Sequence, residues 1–314
     1  MLPATSTSEL ARLLRAEQAA DGGFACTITH HGGEVEPDRN GFTTALVLRL
    51  WNSVLGSASE TRRSQGPMTR EPTSSFEEED TGAGDVRDRA LDFLERCADA
   101  EVPGSYGFWP PLERPGWVRR MPADTDDTAV IALELLRNRR RTLAATRDVV
   151  YGVLVTALVT HVPPQAPAWL RPLVFPTWLG PRIHPRANIV DCAVNANALA
   201  LMAATGLQHL LGYESALGMI TDAVDWAAAS SEHERPDLRL RSLTPYYPDP
   251  ALFLAMVDHA IACGVDGLDQ ARRTLTDLVA TVELPPERRG AVCGNAYTGP
   301  YWRCRALDLA GSVT

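Results

Sequence analysis

Apolar residues recur at helical spacing along most of the chain, which predicts a series of helices. Leu10, Leu13 and Leu14 share one face near the N-terminus, and Leu46 and Leu50 do so further on. The same spacing predicts helices at 90–98, 125–136, 149–159, 189–203, 217–226, 251–262 and 268–282. Convincing strand alternation is sparse, so the pattern favours an all-α fold. About ten or more short helices in series fit a barrel of helical hairpins or a solenoid.

The helical pattern has the same character throughout, so residues 1–314 are expected to form a single domain. One polar segment, 56–84, is rich in Ser, Thr, Arg and Glu and predicts a mobile surface insertion. A second segment, 162–183, alternates prolines with large apolar residues. It could be a lid over an apolar ligand, a contact with a membrane surface, or part of the core.

Composition and charge narrow the classes of partner. The 314 residues are 45% hydrophobic and carry a net charge of -9 without a Lys/Arg stripe, which argues against nucleic-acid binding. The six cysteines are widely spaced, the N-terminus lacks the pattern of a secretory signal, and no apolar run is long enough to cross a membrane. We therefore expect a soluble, cytoplasmic protein that binds a small molecule or another protein.

The candidate chemistry is concentrated in Asp124-Thr125-Asp126-Asp127, at the start of a strongly apolar helix. One interpretation is purely structural: Asp124 caps the helix, and Asp126 and Asp127 interact with the positive end of its dipole. The other is catalytic. Clustered carboxylates in a poorly hydrated cavity cannot all ionise, so one is pushed toward its neutral, proton-donating form.

An alkene is a plausible base for such an acid if aromatic rings surround it. Protonation of an alkene creates a carbocation, which ring faces stabilise by cation–π attraction. Aromatic residues that could supply these walls stand near predicted turns: Phe108, Trp109, Trp178, Tyr246, Tyr247, Tyr297, Tyr301 and Trp302.

The hexapeptide Asp124-Thr125-Asp126-Asp127-Thr128-Ala129 resembles the Asp-x-Asp-Asp-Thr-Ala signature of class II terpene cyclases, including the squalene–hopene cyclase group. The segment from Gln18 to Phe24 is similar to the glutamine-to-aromatic repeat of their α/α barrels, and 104–109 and 299–302 look like degenerate copies. The resemblance implies one α/α barrel (toroid), where familiar members pair two. It also implies Asp126 as the acid, Asp124 and Asp127 as its supports, and cyclisation or rearrangement of an isoprenoid, an isomerase or lyase reaction.

A second polar group, Asp191, Asn195 and Asn197, opens another apolar helix. These side chains could cap and tie neighbouring helix ends, or they could face the barrel mouth and orient a polar substrate head. With the aromatic residues they complete the predicted substrate-binding set: Phe108, Trp109, Trp178, Asp191, Asn195, Asn197, Tyr246, Tyr247, Tyr297 and Trp302.

The expected reaction needs no cofactor and no protein-bound metal. Zinc is a minority alternative, because protein prenyltransferases and lanthionine-forming cyclases share the barrel and use zinc. Ligand types for it are present at Asp191, Cys192, His259, Cys293 and Cys304, but not in the spacing of those families. Magnesium is expected only as the companion of a substrate diphosphate.

Two rival functions use the same barrel. One is a non-terpenoid cyclase, lyase or hydrolase of specialised metabolism, and the other is a non-catalytic barrel that binds a lipid or a partner protein. A homodimer or a second barrel protein could complete the cavity, and peripheral membrane contact through 162–183 stays open as well.

Overall fold

The structure is a computed structural model that describes residues 7–64, 83–183, 188–229 and 236–311. These ranges are mostly helical and contain eleven α-helices. Their bounds are α1 Thr7–Glu17, α2 Gly41–Ser64, α3 Ala83–Arg96, α4 Thr125–Arg137, α5 Leu143–Val149, α6 Cys192–Ala204, α7 Tyr213–Ala228, α8 Pro236–Leu243, α9 Pro250–Ala262, α10 Asp269–Thr281 and α11 Arg305–Gly311. A π-helical turn, Val150–Leu154, and a 3₁₀ turn, Val155–Ala157, follow α5.

Helix α6 has the most extensive packing of the described helices. It is apolar on every side and every residue from Cys192 to Ala203 is buried, which is the pattern of a helix enclosed by others. It packs against α4, α7 and α9, while α4 also packs against α2. Helices α3 and α10 lie further out, α3 against α2 and α10 against α7 and α9.

A small antiparallel sheet corrects the prediction of an all-α fold. Its strands are β1 Cys26–Thr29, β2 Val35–Asp38, β3 Cys293–Gly294 and β4 Tyr301–Arg303, in the order β2-β1-β4-β3. Strands this short show little alternation, and Pro37 lies within β2.

The sheet joins the two ends of the described chain. Ile28 of β1 lies opposite Trp302 of β4. Helix α11, which follows β4, packs on both α1 and α2. The first and last helices are therefore neighbours.

The apolar segment 162–183 contributes several residues to the core. Trp169, Val174, Phe175 and Leu179 are buried, and Val174 forms a β-bridge with Val159. This segment and the π-helical turn bring the chain from α5 back to the N-terminal end of α4.

The predicted insertion at 56–84 is only partly described. Helix α2 continues through Ser64, so residues 56–64 are helical, and α3 begins at Ala83. The remaining residues, 65–82, lie outside the described ranges. No helix in the described ranges combines the length and the apolar character that a membrane span needs.

The Gln18–Phe24 segment shows why its residue types are needed. The Gln18 amide donates to the carbonyls of Gly22, at 2.9 Å, and Val86, at 2.8 Å, and so ties this turn to α3. Gly22 has a φ of 97°, and a Cβ there would lie 2.1 Å from the carbonyl oxygen of Arg89. A side chain at this position would push α3 away.

A buried ionic cluster holds the C-terminal half of α4. The Glu134 side chain is fully buried and accepts hydrogen bonds from Asn52 and Arg137, each at 3.2 Å. Its Oε1 also lies 3.5 Å from Nε of Arg49 on α2. His259 of α9 joins the cluster at Arg137, and burial, with help from the two arginines, lowers its pKa to about 2. The imidazole of His259 is therefore neutral. Glu134 is the counter-charge of Arg49 and Arg137.

Candidate active site

The acidic motif is placed by the N-terminus of α4. Asp124 is the N-cap, and its Oδ1 accepts a 2.6 Å hydrogen bond from the Asp127 backbone N–H. The hydroxyl of Thr125 donates to the carbonyl of Pro176 at 2.6 Å, and the hydroxyl of Thr128 accepts from the Tyr106 backbone at 3.0 Å. The motif is therefore clamped between two loop segments, which keeps its carboxylates in place.

Asp126 is held by two side chains from other elements. Its Oδ1 accepts a 2.7 Å hydrogen bond from the amide of Asn197 on α6, and its Oδ2 accepts one from the hydroxyl of Tyr247, which precedes α9. Both donors would stabilise the carboxylate that remains after a proton leaves. The arrangement orients Asp126 and prepares it for loss of a proton.

Asp127 is buried beside Asp124 and differs from both neighbours. Its two oxygens accept no hydrogen bond from any residue within the described ranges. Such a carboxyl group is costly to ionise. The motif thus combines a capping acid, an acid held by Asn197 and Tyr247, and a buried acid that faces the Asp124 carboxyl group.

Burial is the main cause of the raised pKa values of the three aspartates in the motif. It raises the pKa of Asp124 to about 7, with a further contribution from the charge of Asp126. Burial together with the adjacent Asp124 raises the pKa of Asp127 well above its usual range. The pKa of Asp126 is also raised by burial, although the donors Tyr247 and Asn197 oppose that shift. The site therefore retains protons at a pH where exposed aspartates have lost them.

A cavity of about 340 Å³ opens on Asp124, Asp126 and Asp127, within the usual size range of ligand pockets. Six of the predicted substrate-binding residues line it: Phe108, Trp109, Trp178, Tyr246, Tyr247 and Trp302. Phe108 packs edge-on against Trp109 and Trp302, with ring centroids 4.6 and 5.4 Å apart, and Trp178 packs edge-on against Tyr246 at 5.4 Å. The structure therefore brings the three acids and an aromatic wall together.

Four other predicted substrate-binding residues lie away from the cavity lining. Asp191 is fully buried as the N-cap of α6 and accepts from the backbone of Ala193 and Tyr246; burial raises its pKa to about 8. Asn195 is paired with the backbone of Phe175. These two tie helix ends together.

The remaining two differ from each other. Tyr297 is half-exposed, outside the cavity lining, with its ring next to Arg241. Asn197 reaches the site indirectly, through its hydrogen bond to Asp126. Its role is to orient the acid.

Several residues of the site were not predicted from the sequence. Phe42 and Trp117 line the cavity, and Asp38 holds two of its indole rings. Phe42 lies in the first turn of α2, whose apolar pattern is that of a core helix. Asp38 lies on β2, a strand that was not predicted. A signal was available at Trp117, which follows Pro115-Gly116 in a turn, as the other wall residues follow turns.

A second cavity, of about 400 Å³, adjoins the first. The two share Phe108, Trp109, Arg120, Met121 and Pro122 as lining residues. The charged side chains that line the second cavity in the described structure are Asp99, Glu101, Arg114, Arg119, Arg120 and Arg182. Arginine therefore exceeds carboxylate here, although the chain as a whole carries a net charge of -9.

No group of three or more His, Cys, Asp or Glu side chains arranged to hold a metal ion occurs in the part of the chain that the structure describes. The six cysteines are free thiols, and Cys192 and Cys293 are buried. Comparison with known proteins found no matching family model, curated protein or solved structure. The resemblance to class II terpene cyclases therefore rests on the motifs themselves.

Proposed function

We propose that this protein is a Brønsted-acid cyclase similar to class II terpene cyclases, which starts cyclisation or rearrangement of an isoprenoid by protonating a carbon–carbon double bond. The observation that carries the proposal is the position of Asp126. Its pKa is raised by burial, it faces an aromatic cavity, and Asn197 and Tyr247 are placed to stabilise its conjugate base.

In the proposed reaction, the carboxyl proton of Asp126 passes to one carbon of the double bond that lies at the end of the prenyl chain. The π electrons form the new C–H bond, and the other carbon becomes a tertiary cation. An internal double bond then attacks this cation to close a ring, and transfer of a C–H proton to water, with its electron pair forming a new double bond, ends the sequence. The product is an isomer of the substrate, and Asp126 recovers a proton from solvent.

The aromatic wall supplies what the cationic intermediates need. The faces of Phe108, Trp109, Trp178 and Trp302 are negative, and their attraction for a cation is stronger where water is excluded. Near these rings the protein needs no metal to stabilise the charge.

We also propose that the helices form an α/α barrel. Helices α2, α4, α6 and α9 follow each other around the centre, with α2 on α4, α4 on α6 and α6 on α9. Helices α3, α7 and α10 pack outside them, and the pairing of β1 with β4 brings the ends of the ring together. The acidic motif then lies at one mouth of the barrel and the Glu134 cluster toward the other.

The arginine-lined cavity favours a diphosphate-bearing substrate over a neutral hydrocarbon. Arg120 lines both cavities, so a chain whose reactive end lies at Asp126 could extend its head toward Arg114, Arg119 and Arg182. Magnesium would enter with the diphosphate. Arg120 is paired with Glu101, and Arg114 donates to the carbonyls of Val118 and Arg119. Arg119 and Arg182 are therefore the arginines best placed to bind the diphosphate.

The test is to incubate the purified protein with geranyl, farnesyl and geranylgeranyl diphosphates and with squalene, with and without magnesium. We expect a cyclised isomer of one prenyl diphosphate with its diphosphate intact, because protonation does not break the C–O bond. Mass spectrometry and an assay for released pyrophosphate check this. Pyrophosphate release, a product with added water, or no conversion of any substrate would contradict the proposal and favour the rival functions.

A further inference from the structure

Asp38, the last residue of β2, lies where three N–H donors converge. Its Oδ1 accepts from Nε1 of Trp109 at 2.9 Å, and its Oδ2 accepts from Nε1 of Trp302 at 2.8 Å. The amide of Asn40 donates to the same Oδ2 at 3.1 Å. In each of these three contacts the Asp38 side chain is the acceptor.

The two indoles are cavity walls, and Asp38 is behind them. Trp109 and Trp302 are each 7% exposed, their centroids are 6.3 Å apart, and both line the acid cavity. Asp38 is not itself a lining residue. Its charge therefore acts on the cavity through the rings.

A carboxylate at the N–H edge of an indole has two effects on a cation at the ring face. The hydrogen bond draws positive charge toward the N–H and leaves the π face more negative, which strengthens cation–π attraction. The negative charge also attracts the cation directly across a poorly hydrated wall. Its influence extends to the lining residue Cys293, whose pKa is raised first by burial and then by Asp127, Asp38 and the other acids of the motif.

We propose that Asp38 is a positioning residue that fixes and polarises the Trp109–Trp302 wall so that the cavity prefers a cationic occupant. The inference rests on the proposed function, since the occupant in question is the carbocation. Asp38 does not touch the substrate. It adds to the stabilisation of the carbocation through the two indole rings that it holds.

The experiment measures binding and needs no turnover. Benzyltrimethylammonium stands in for the cation, and neopentylbenzene is its neutral carbon isostere; tryptophan fluorescence reports the affinity of each. We expect the wild type to prefer the ammonium by about five- to tenfold, the scale of a partly desolvated cation–π contact. Asp38→Asn should lower this ratio by about threefold, since the rings themselves still attract the cation, and should change the affinity for neopentylbenzene less than about twofold.

Three further variants keep the inference open to refutation. Glu34→Gln removes one charge from the same β-hairpin at an exposed position and should leave the ratio unchanged. Trp302→Phe removes one N–H donor to Asp38, while Trp178→Phe makes the same ring change at a wall residue whose N–H donates to Tyr246. The ratio should fall more in Trp302→Phe than in Trp178→Phe, even if Asp38→Asn does not fold.

The outcomes separate this inference from the proposed function. Equal binding of the two probes by the wild type, an unchanged ratio in Asp38→Asn, or an equal loss of both affinities would overturn it. The last of these would show that Asp38 only holds the wall in shape. If the ammonium preference is present and depends on Asp38 while no isoprenoid is ever converted, the proposed reaction fails and the role of Asp38 stands.

Discussion

Replacing Asp126 by asparagine is expected to lower the rate of product formation by about 10²- to 10⁴-fold, the usual contribution of a general acid. Asparagine has nearly the same shape and can still accept the hydrogen bond from Asn197, but its side chain has no acidic proton. Affinity for the substrate should change little. Single-turnover rates with the converted prenyl diphosphate, measured by mass spectrometry, check both parts.

Asp249→Asn is the matched control for this substitution. Asp249 is as buried as Asp126, each being 8% exposed, and it also lies at a helix N-terminus, where it caps α9. Asparagine is a good N-cap, so this variant should fold and retain most of the activity. A similar loss in both variants would show that burial of a carboxylate, rather than the acid at Asp126, matters for the rate.

The pH profile of the rate depends on the same residue. In the proposed reaction Asp126 acts in its protonated form, so the rate should fall as pH rises through the Asp126 pKa, which burial raises above that of an exposed aspartate. Tyr247→Phe removes a donor that favours the charged form, so the descending limb should move to higher pH. The maximal rate should fall as well, because the conjugate base loses a hydrogen bond.

The second large effect is expected on stability. Glu134→Ala should lower the free energy of unfolding by about 3–5 kcal/mol, since it removes the counter-charge of a buried cationic cluster. Nε and Nη2 of Arg49 are buried without a hydrogen-bond partner among the described residues, so they depend on the Glu134 charge. Urea unfolding followed by circular dichroism measures the change.

Glu95→Ala is a suitable comparison, because the Glu95 side chain is 46% exposed and lies 3.8 Å from Arg140 in an ordinary surface ion pair. Its loss should cost under about 1 kcal/mol. Pairing Glu134→Leu with Arg49→Met should restore much of the lost stability, because the more deeply buried cation is removed with its partner and the remaining one, Arg137, is 33% exposed to solvent. If Glu134→Ala remains within about 1 kcal/mol of the wild type, the cluster is not what holds α4.

The sequence predicts the helices well where they are long and buried. The periodicity places α4, α6, α7, α9 and α10 within a few residues of their observed bounds, because apolar spacing is visible locally. Helices α4, α6 and α9 also have an aspartate as N-cap, which the sequence shows directly. The strands β3 and β4 have two and three residues, and β4 pairs not only with the nearby β3 but also with β1, at the opposite end of the described chain. No local pattern could show that.

The site residues that could be predicted are likewise those that lie close together in the sequence. Asp124, Asp126 and Asp127 are adjacent in the sequence, so their cluster is visible without a structure. Asp38 is joined to Trp109 and Trp302 only by folding. Asp191 and Asn195 have the residue types of a binding group, yet backbone N–H and C=O groups occupy them, and backbone partners cannot be deduced from side-chain identity.

Proton transfer from the enzyme to carbon is the central claim, and heavy water tests it most directly. The wild type should convert its prenyl diphosphate in heavy water to a cyclised isomer that keeps one carbon-bound deuterium after return to ordinary water. Asp126→Asn should form none of this product. A cyclised product with no deuterium, or the same labelled product from Asp126→Asn, would contradict initiation by the Asp126 carboxylic acid.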